Sequence, residues 1–361
     1  MTHLTRRDLL IGLGAGSAAA IATGSAMVLP RVLAQESGGG LLLRIEPCEI
    51  NSKPIRAFER GNPGRADFGR LRFLGGLELT SAFNPFGGLS GLLVEPDGSG
   101  LLAVSDVGAW LSARIAYDGQ APAALSEARM GPLLDAAGKP LDSKVLQDAE
   151  GLTLSDGSLA QGTVLVSFER EHRIVPYQVA GRQIGGVAGT PLTLPADARA
   201  LADNASFEAV AVLRGGAHKG ATLAFAERYT PDAGYHTGWM WIDGTPQRLY
   251  LRDIEGFDIT DAAGLDNGDL LVLERRYRRR EGVQMRLRQI GGAEVAPGAR
   301  ISGDILLQAK GDAFDIDNME GLAVHRDGAG HTILTLLSDD NFNRKDQRTL
   351  LLQFRLLPSA S

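Results

Sequence analysis

The sequence predicts an all-β propeller, and three observations lead there. A pair of acidic positions recurs at one spacing: Glu150 and Glu169, Glu208 and Glu227, Glu255 and Glu274, and Glu320 and Asp339 are each 19 residues apart, with a degenerate copy, Ser90 and Asp106, 16 apart. The text around each first member is alike, as in Leu89-Ser90-Gly91-Leu92, Ala149-Glu150-Gly151-Leu152 and Met319-Glu320-Gly321-Leu322. Each second member closes an apolar run, such as Leu102-Ala103-Val104-Ser105-Asp106 or Leu223-Ala224-Phe225-Ala226-Glu227. A lone hairpin cannot bury both of its apolar faces, so repeated hairpins imply a closed, stacked array. Five blades are readable; an irregular sixth, built from the N-terminal strands and residues 51–67, is the alternative.

Taken in chain order, residues 1–34 read as an export signal. Thr5-Arg6-Arg7-Asp8-Leu9-Leu10 is a basic start, a Gly- and Ala-rich apolar stretch follows, and Val32-Leu33-Ala34 offers a small-residue cleavage point. The paired arginines resemble a twin-arginine signal, which makes the twin-arginine translocase the expected export partner and the periplasm or the exterior the expected location. Residues 35–69 form a linker and N-terminal segment, Gly-rich at 36–40, with a strand expected at 41–45. The propeller domain spans 70–361. Its first strand, 70–79, has no acidic pair, and the hairpins follow from about residue 87.

Outer strands are expected at 173–179 and 190–194, 239–242 and 247–251, and 284–290 and 305–309. The last copy has only 350–356 before the chain ends. It lacks an outer strand, and 70–79 is the expected donor, closing the ring and removing its free edges. Short helices are expected within 195–204 and 125–137.

Composition narrows the function. The net charge of −6 becomes −8 once Arg6, Arg7, Arg31 and Asp8 leave with the signal. An acidic exported chain with no basic domain is a poor fit to nucleic acid or anionic lipid. No later stretch offers about 18 unbroken apolar residues, so no stable membrane insertion is expected after cleavage. Cys48 is the single cysteine, which excludes an intrachain disulfide.

The hairpin geometry explains why the acids matter. A strand of about six residues, a turn and a return strand bring the chain back to its starting level. All first acids then ring one mouth of the central channel, with the second acids in a wider ring on the same face. Clustered carboxylates repel unless a cation or arginines compensate, or unless they keep protons. Alternatively each acid only accepts bonds from turn amides.

Several stretches together carry a resemblance: Phe86-Gly87-Gly88-Leu89-Ser90-Gly91, Asp148-Ala149-Glu150-Gly151, Phe257-Asp258-Ile259-Thr260, Leu273-Glu274-Arg275-Arg276, Asn318-Met319-Glu320-Gly321-Leu322 and Leu337-Ser338-Asp339-Asp340-Asn341-Phe342. They resemble the bacterial phytase-like family, described as having esterase-like activity, over about 70–356. The resemblance implies a propeller and an ester hydrolase. Calcium-dependent phytase and lactonase propellers are similar more distantly, with acids around a channel that hold calcium.

The chemistry follows from ligand type. Hard oxygen donors, without Cys or paired His, favour calcium or magnesium over zinc, and calcium is the expected cofactor. The expected metal ligands are Glu150, Glu208, Glu255, Glu320, Asp106 and Asp339, with Asp315-Ile316-Asp317 as a separate loop candidate. Arg170, Arg228 and Arg275 follow second acids and would either bind an anionic substrate group or neutralise their neighbours. Glu169 and Glu274 are the candidate general bases. Gly88-Leu89-Ser90-Gly91-Leu92 departs from Gly-x-Ser-x-Gly at its last position, so Ser90 reads as a neutral ring member rather than a nucleophile. The expected function is an exported metal-dependent hydrolase of a small anionic ester, most plausibly a phosphoester. A carboxylester or lactone hydrolase and a non-enzymatic periplasmic binding or scaffold propeller are the alternatives.

Overall fold

A computed structural model describes residues 40–201 and 206–358. The expected export signal and its cleavage point lie outside the described residues. The rest is a five-bladed β-propeller. The innermost strands of its blades are Leu89–Val94, Ala149–Gly157, Phe207–Val212, Asp258–Gly264 and Asn318–Arg326, and each begins an antiparallel sheet running outward. In blade I the next strands are Gly100–Ser105, Ala109–Asp118 and Ala121–Pro132, with Glu46–Pro47 added at the edge. Blades II, III and IV continue in the same way; Arg300–Ile301 adds a short parallel edge to blade III.

Blade V is closed as the sequence implied. Thr349–Leu356 pairs antiparallel with Leu71–Thr80, so the C-terminal sheet takes its outer strand from the N-terminal side of the domain. Asn51–Ile55 and Asp67–Phe68 also pair with Leu71–Thr80. The N-terminal strands therefore extend existing sheets, and the sixth blade is not formed.

Both faces of each sheet are covered, which is why the inner strands are apolar at nearly every position. Alternate residues of one strand enter different cores. Leu271 and Leu273 join a core between blades IV and V, whereas Leu270 and Val272 join one between III and IV. The other interblade spaces are filled alike: Leu102, Trp110 and Phe168 between I and II, Phe207 and Trp239 between II and III, and Leu77, Leu111 and Leu351 between V and I.

Three expectations are corrected. Residues 125–137 do not form a helix: Ala121–Pro132 is a strand paired with Ala109–Asp118, with a register shift near Glu127, which takes φ 51°. Pairing within the sheet outweighs the helix propensity of Leu125-Ser126-Glu127-Ala128. Residues 190–194 run beside Arg173–Ala180 but form no strand. Gly189 and Leu192 still donate to Pro176 and Ile174, while Pro191 and Pro195 have no N–H to extend the ladder. The strand expected at 41–45 is instead the two-residue Glu46–Pro47. A 3-10 helix does occur at Ala196–Ala200.

Removing residues through Leu79 should therefore unpair Thr349–Leu356 and uncover Leu350, Leu352 and Phe354, all fully buried. The expected result is an aggregated product in size-exclusion chromatography. A soluble truncation with a cooperative melt would contradict the closure.

Candidate functional site

Each inner strand carries a β-bulge or register shift near its first residues, seen in the pairings Leu89/Leu92, Ala149/Leu152, Phe207/Ala209, Ile259/Asp261 and Met319/Gly321. A bulge re-aims the extra residue out of the ladder. The residues so placed are Ser90, Glu150, Glu208, Thr260 and Glu320. The residue after three of them is a glycine for a packing reason. A Cβ on Gly91, Gly151 or Gly321 would lie 2.5–2.7 Å from the backbone of the neighbouring inner strand, at Leu152, Glu208 or Ser90. The inner strands approach too closely there for a side chain.

The ring register shows that Glu255 was misassigned. Its φ is +63° in the turn before the inner strand, its side chain is 59 % exposed, and it pairs with Arg286. Thr260 takes its place, donating its hydroxyl to Met319 O at 3.1 Å. The partner position shifts as well. Residues one beyond the ladder partners Ser105, Phe168, Ala226 and Ser338 are Asp106, Glu169, Glu227 and Asp339. In blade IV the ladder partner of Ile259 is Glu274, so the equivalent position is Arg275. Glu274 is enclosed within the blade, bonded to Arg288 at 2.5 Å and 3.9 Å from Arg286. Its burial raises its pKa to about 7 against the pull of those arginines. It is fully buried and held by these two arginines, and it lies one position short of the ring register.

The structure brings the remaining acids together. Glu150, Glu169, Glu208, Glu227, Glu320 and Asp339 are all buried, as are Asp148 and Asp340. Ser90 Oγ donates to Glu150 Oε2 at 2.9 Å and reaches Glu320 Oε2 at 3.4 Å, and Asn318 Nδ2 donates to Glu320 Oε1 at 2.7 Å. Burial pushes Glu150 well above the usual carboxylate range, and repulsion from Asp148, Glu169 and Glu320 adds to it. Glu208 is raised likewise, by burial and then by Glu150, Glu227 and Glu169. Asp339 is raised by burial and by Glu320 and Asp106. The cause is shared: too many carboxylates in too little solvent.

Two groups within this cluster each offer one oxygen per residue, all within 4.8 Å of one another: Asp148, Glu150 and Glu169, and Glu169, Glu208 and Glu227. Calcium ligands lie about 2.3–2.6 Å from the ion, so oxygens on opposite sides stand up to about 5 Å apart. The donor set therefore fits a hard cation. The second group fits better. Among the described residues, Glu208 Oε1 and Glu227 Oε2 are buried without a hydrogen bond, whereas Asp148 already accepts from Lys144 Nζ at 2.5 Å and Arg170 Nε at 2.7 Å.

The cations sit at the rim and in blade IV. Arg275 reaches Glu227 Oε1 at 3.3 Å and Glu320 Oε1 at 3.6 Å, compensating two ring acids. Arg228 grips both oxygens of Asp258 and lies 3.6 Å from Glu227 Oε1. Lys144, on the short helix Lys144–Gln147, joins Asp106 and Asp148. The separate loop candidate is taken up by arginines: Asp315 accepts from Arg60 and Arg348, and Asp317 from the Arg348 backbone. Sequence reasoning missed Asp148, Lys144, Asp258 and Thr260 as site residues. The run Asp258-Ile259-Thr260-Asp261 was the available signal for blade IV. Asp261 itself accepts from Ala262 N and Leu322 N, tying blade IV to blade V.

Fold and mouth define a propeller whose channel head is lined with buried carboxylates. The chain belongs to the phytase-like family, described as "Esterase-like activity of phytase", which matches residues 84–342. No curated protein matches the sequence. Among solved structures the chain is similar to the Dos1 propeller, at 7 % identity and a TM-score of 0.34, over 79 % of this chain and 74 % of that one. It is similar to U3-55K at 9 % identity and a TM-score of 0.36, over 78 % and 83 %. It is also similar to Chaetomium thermophilum Raptor at 10 % identity and a TM-score of 0.39, over 89 % of this chain and 29 % of that one.

The raised acids set a pH dependence. With no cation, Glu150, Glu208 and Asp339 hold protons in the folded chain that the unfolded chain has released above its ordinary values of 4.5 and 3.8. Stability should therefore fall as pH rises from that range toward the raised folded values. Chelated protein is expected to melt at a lower temperature at about pH 8 than at about pH 5, and Glu208→Gln should flatten the difference. Equal melting of chelated wild type at both values would contradict it.

Proposed function

We propose that the protein is an exported, metal-dependent ester hydrolase acting on a small anionic ester, a phosphoester. The observation that carries this reading is the second carboxylate group, Glu169, Glu208 and Glu227, whose buried oxygens include two that no hydrogen bond satisfies among the described residues. Membership of a family described by esterase-like activity supports it. Glu150, Glu169, Glu208 and Glu227 would hold the cation, and calcium suits their all-oxygen donor set. A bound divalent cation would supply polarisation of the ester oxygen and an acidified water.

The chain's own groups would do the rest. Glu169, common to both groups, would accept a proton from the attacking water. Arg170 and Arg228, 41 % and 45 % exposed at the rim, would orient the anionic part of the substrate. Arg275 would hold Glu227 and Glu320 in place rather than touch substrate, because its side chain is only 12 % exposed.

One observation favours a carboxylester or lactone instead. Arg170 is bonded to Asp148, and Arg228 is bonded through two nitrogens to Asp258, so both rim charges already face carboxylates. A neutral ester makes less demand on them than a phosphate does. Location in the periplasm or outside the cell, through the twin-arginine translocase, rests on the N-terminal sequence alone.

Hydrolysis of nitrophenyl phosphate and nitrophenyl acetate by the chain from Gln35 onward should separate these readings. Activity is expected to vanish with chelator and return with calcium, and Glu169→Gln should lower kcat about 100-fold or more. Acetate turnover without phosphate turnover selects the carboxylester reading. No turnover of either, with any divalent cation, would contradict both.

A further inference from the structure

The other end of the channel has the opposite character. The inner strands carry their ring residues at their first turn, and four or five residues further on, roughly 13–17 Å along a strand, they open into a second cavity. It has a volume of about 260 Å³ and is lined from all five blades. Leu93, Val94, Leu154, Leu159, Leu265 and Val324 give it apolar walls.

Three charged residues line it: Arg326 and Asp266, which pair with each other, and Arg214, two residues past the end of Phe207–Val212. The guanidinium donates once, to Leu154 O at 2.7 Å, and among the described residues it has no carboxylate at ion-pair distance. The nearby Asp266 is turned to Arg326, which holds it at 2.9 and 3.2 Å. Burial lowers the Arg214 pKa, and the charge of Asp266 opposes it. A partly desolvated guanidinium with remaining donors and no ion-pair partner among the described residues favours an anion, and its planar fork suits a carboxylate. Apolar walls favour a hydrocarbon tail on that anion.

We propose that this second mouth binds a small organic monocarboxylate, its carboxylate on Arg214 and its apolar tail among the leucines. The site is separate from the acidic mouth and does not depend on the reading given above for that mouth.

Calorimetric titration of the chain with hexanoate tests this, using hexanol and acetate as controls that keep only the tail or only the charge. Saturable binding of hexanoate is expected, with each control at least about tenfold weaker. Arg214→Met should lose about tenfold or more in affinity, and Arg214→Lys should retain part of it. If Arg214→Met fails to melt cooperatively, the comparison of Arg214→Lys with wild type carries the test, and unchanged affinity there overturns the proposal. Binding should persist with chelator and in Glu208→Gln. Hexanoate that does not saturate, that binds no better than hexanol, or that is lost with chelator overturns the site; the last outcome would place the carboxylate on a cation at the acidic mouth.

Discussion

The repulsion among buried carboxylates at one channel mouth is the constraint around which this molecule is arranged. The oxygens of each carboxylate group lie within 4.8 Å of one another, and two like charges at that limit repel by about 3–4 kcal/mol at an effective dielectric of about 20. Burial adds a desolvation cost to each. The fold nevertheless concentrates these groups, because each inner strand has its irregular pairing at the same register and each turns one side chain toward the axis. Five interblade cores hold the strands in place while that repulsion acts, and the borrowed strand Leu71–Thr80 leaves the ring no open edge through which to relax.

Blade IV breaks the symmetry and makes the arrangement tolerable. There the acid pair is replaced by Thr260 and Arg275, and the guanidinium reaches acids of blades III and V. Compensation from within the protein thus serves Glu320 and one oxygen, Oε1, of Glu227. Lys144 and Arg170 serve Asp106 and Asp148. Among the described residues, the group formed by Glu169, Glu208 and Glu227 retains the unsatisfied oxygens Glu208 Oε1 and Glu227 Oε2, so a cation would sit there, on blades II and III.

The architecture was largely legible in the sequence because it depends on periodic apolar runs that both faces of a sheet must bury. The closure was legible too, since a last blade one strand short demands a donor. Blade IV was not. Glu255 and Glu274 share the 19-residue spacing of the true pairs, but register is set by where the bulge falls in the ladder, and that depends on pairing partners that spacing does not reveal. Glu274 falls one position short and meets Arg286 and Arg288 instead of the channel. Asp148 and Lys144 were missed for another reason. They join the site through the connection leading into blade II, where no repeat pattern marks them. The charged pair Glu227 and Arg228 shows how neighbours at a strand end can serve one site, the acid inward and the arginine at the rim.

The central claim is that the carboxylates left uncompensated by Arg275 and the rim cations are compensated by a bound ion. Elemental analysis of protein purified without chelator and dialysed against metal-free buffer tests it most directly. The account predicts at least one hard divalent cation per chain, lost in a Glu208→Gln, Glu227→Gln double variant that still folds. A wild-type chain that carries no metal, and whose melting temperature does not move when calcium or magnesium is added, would contradict it.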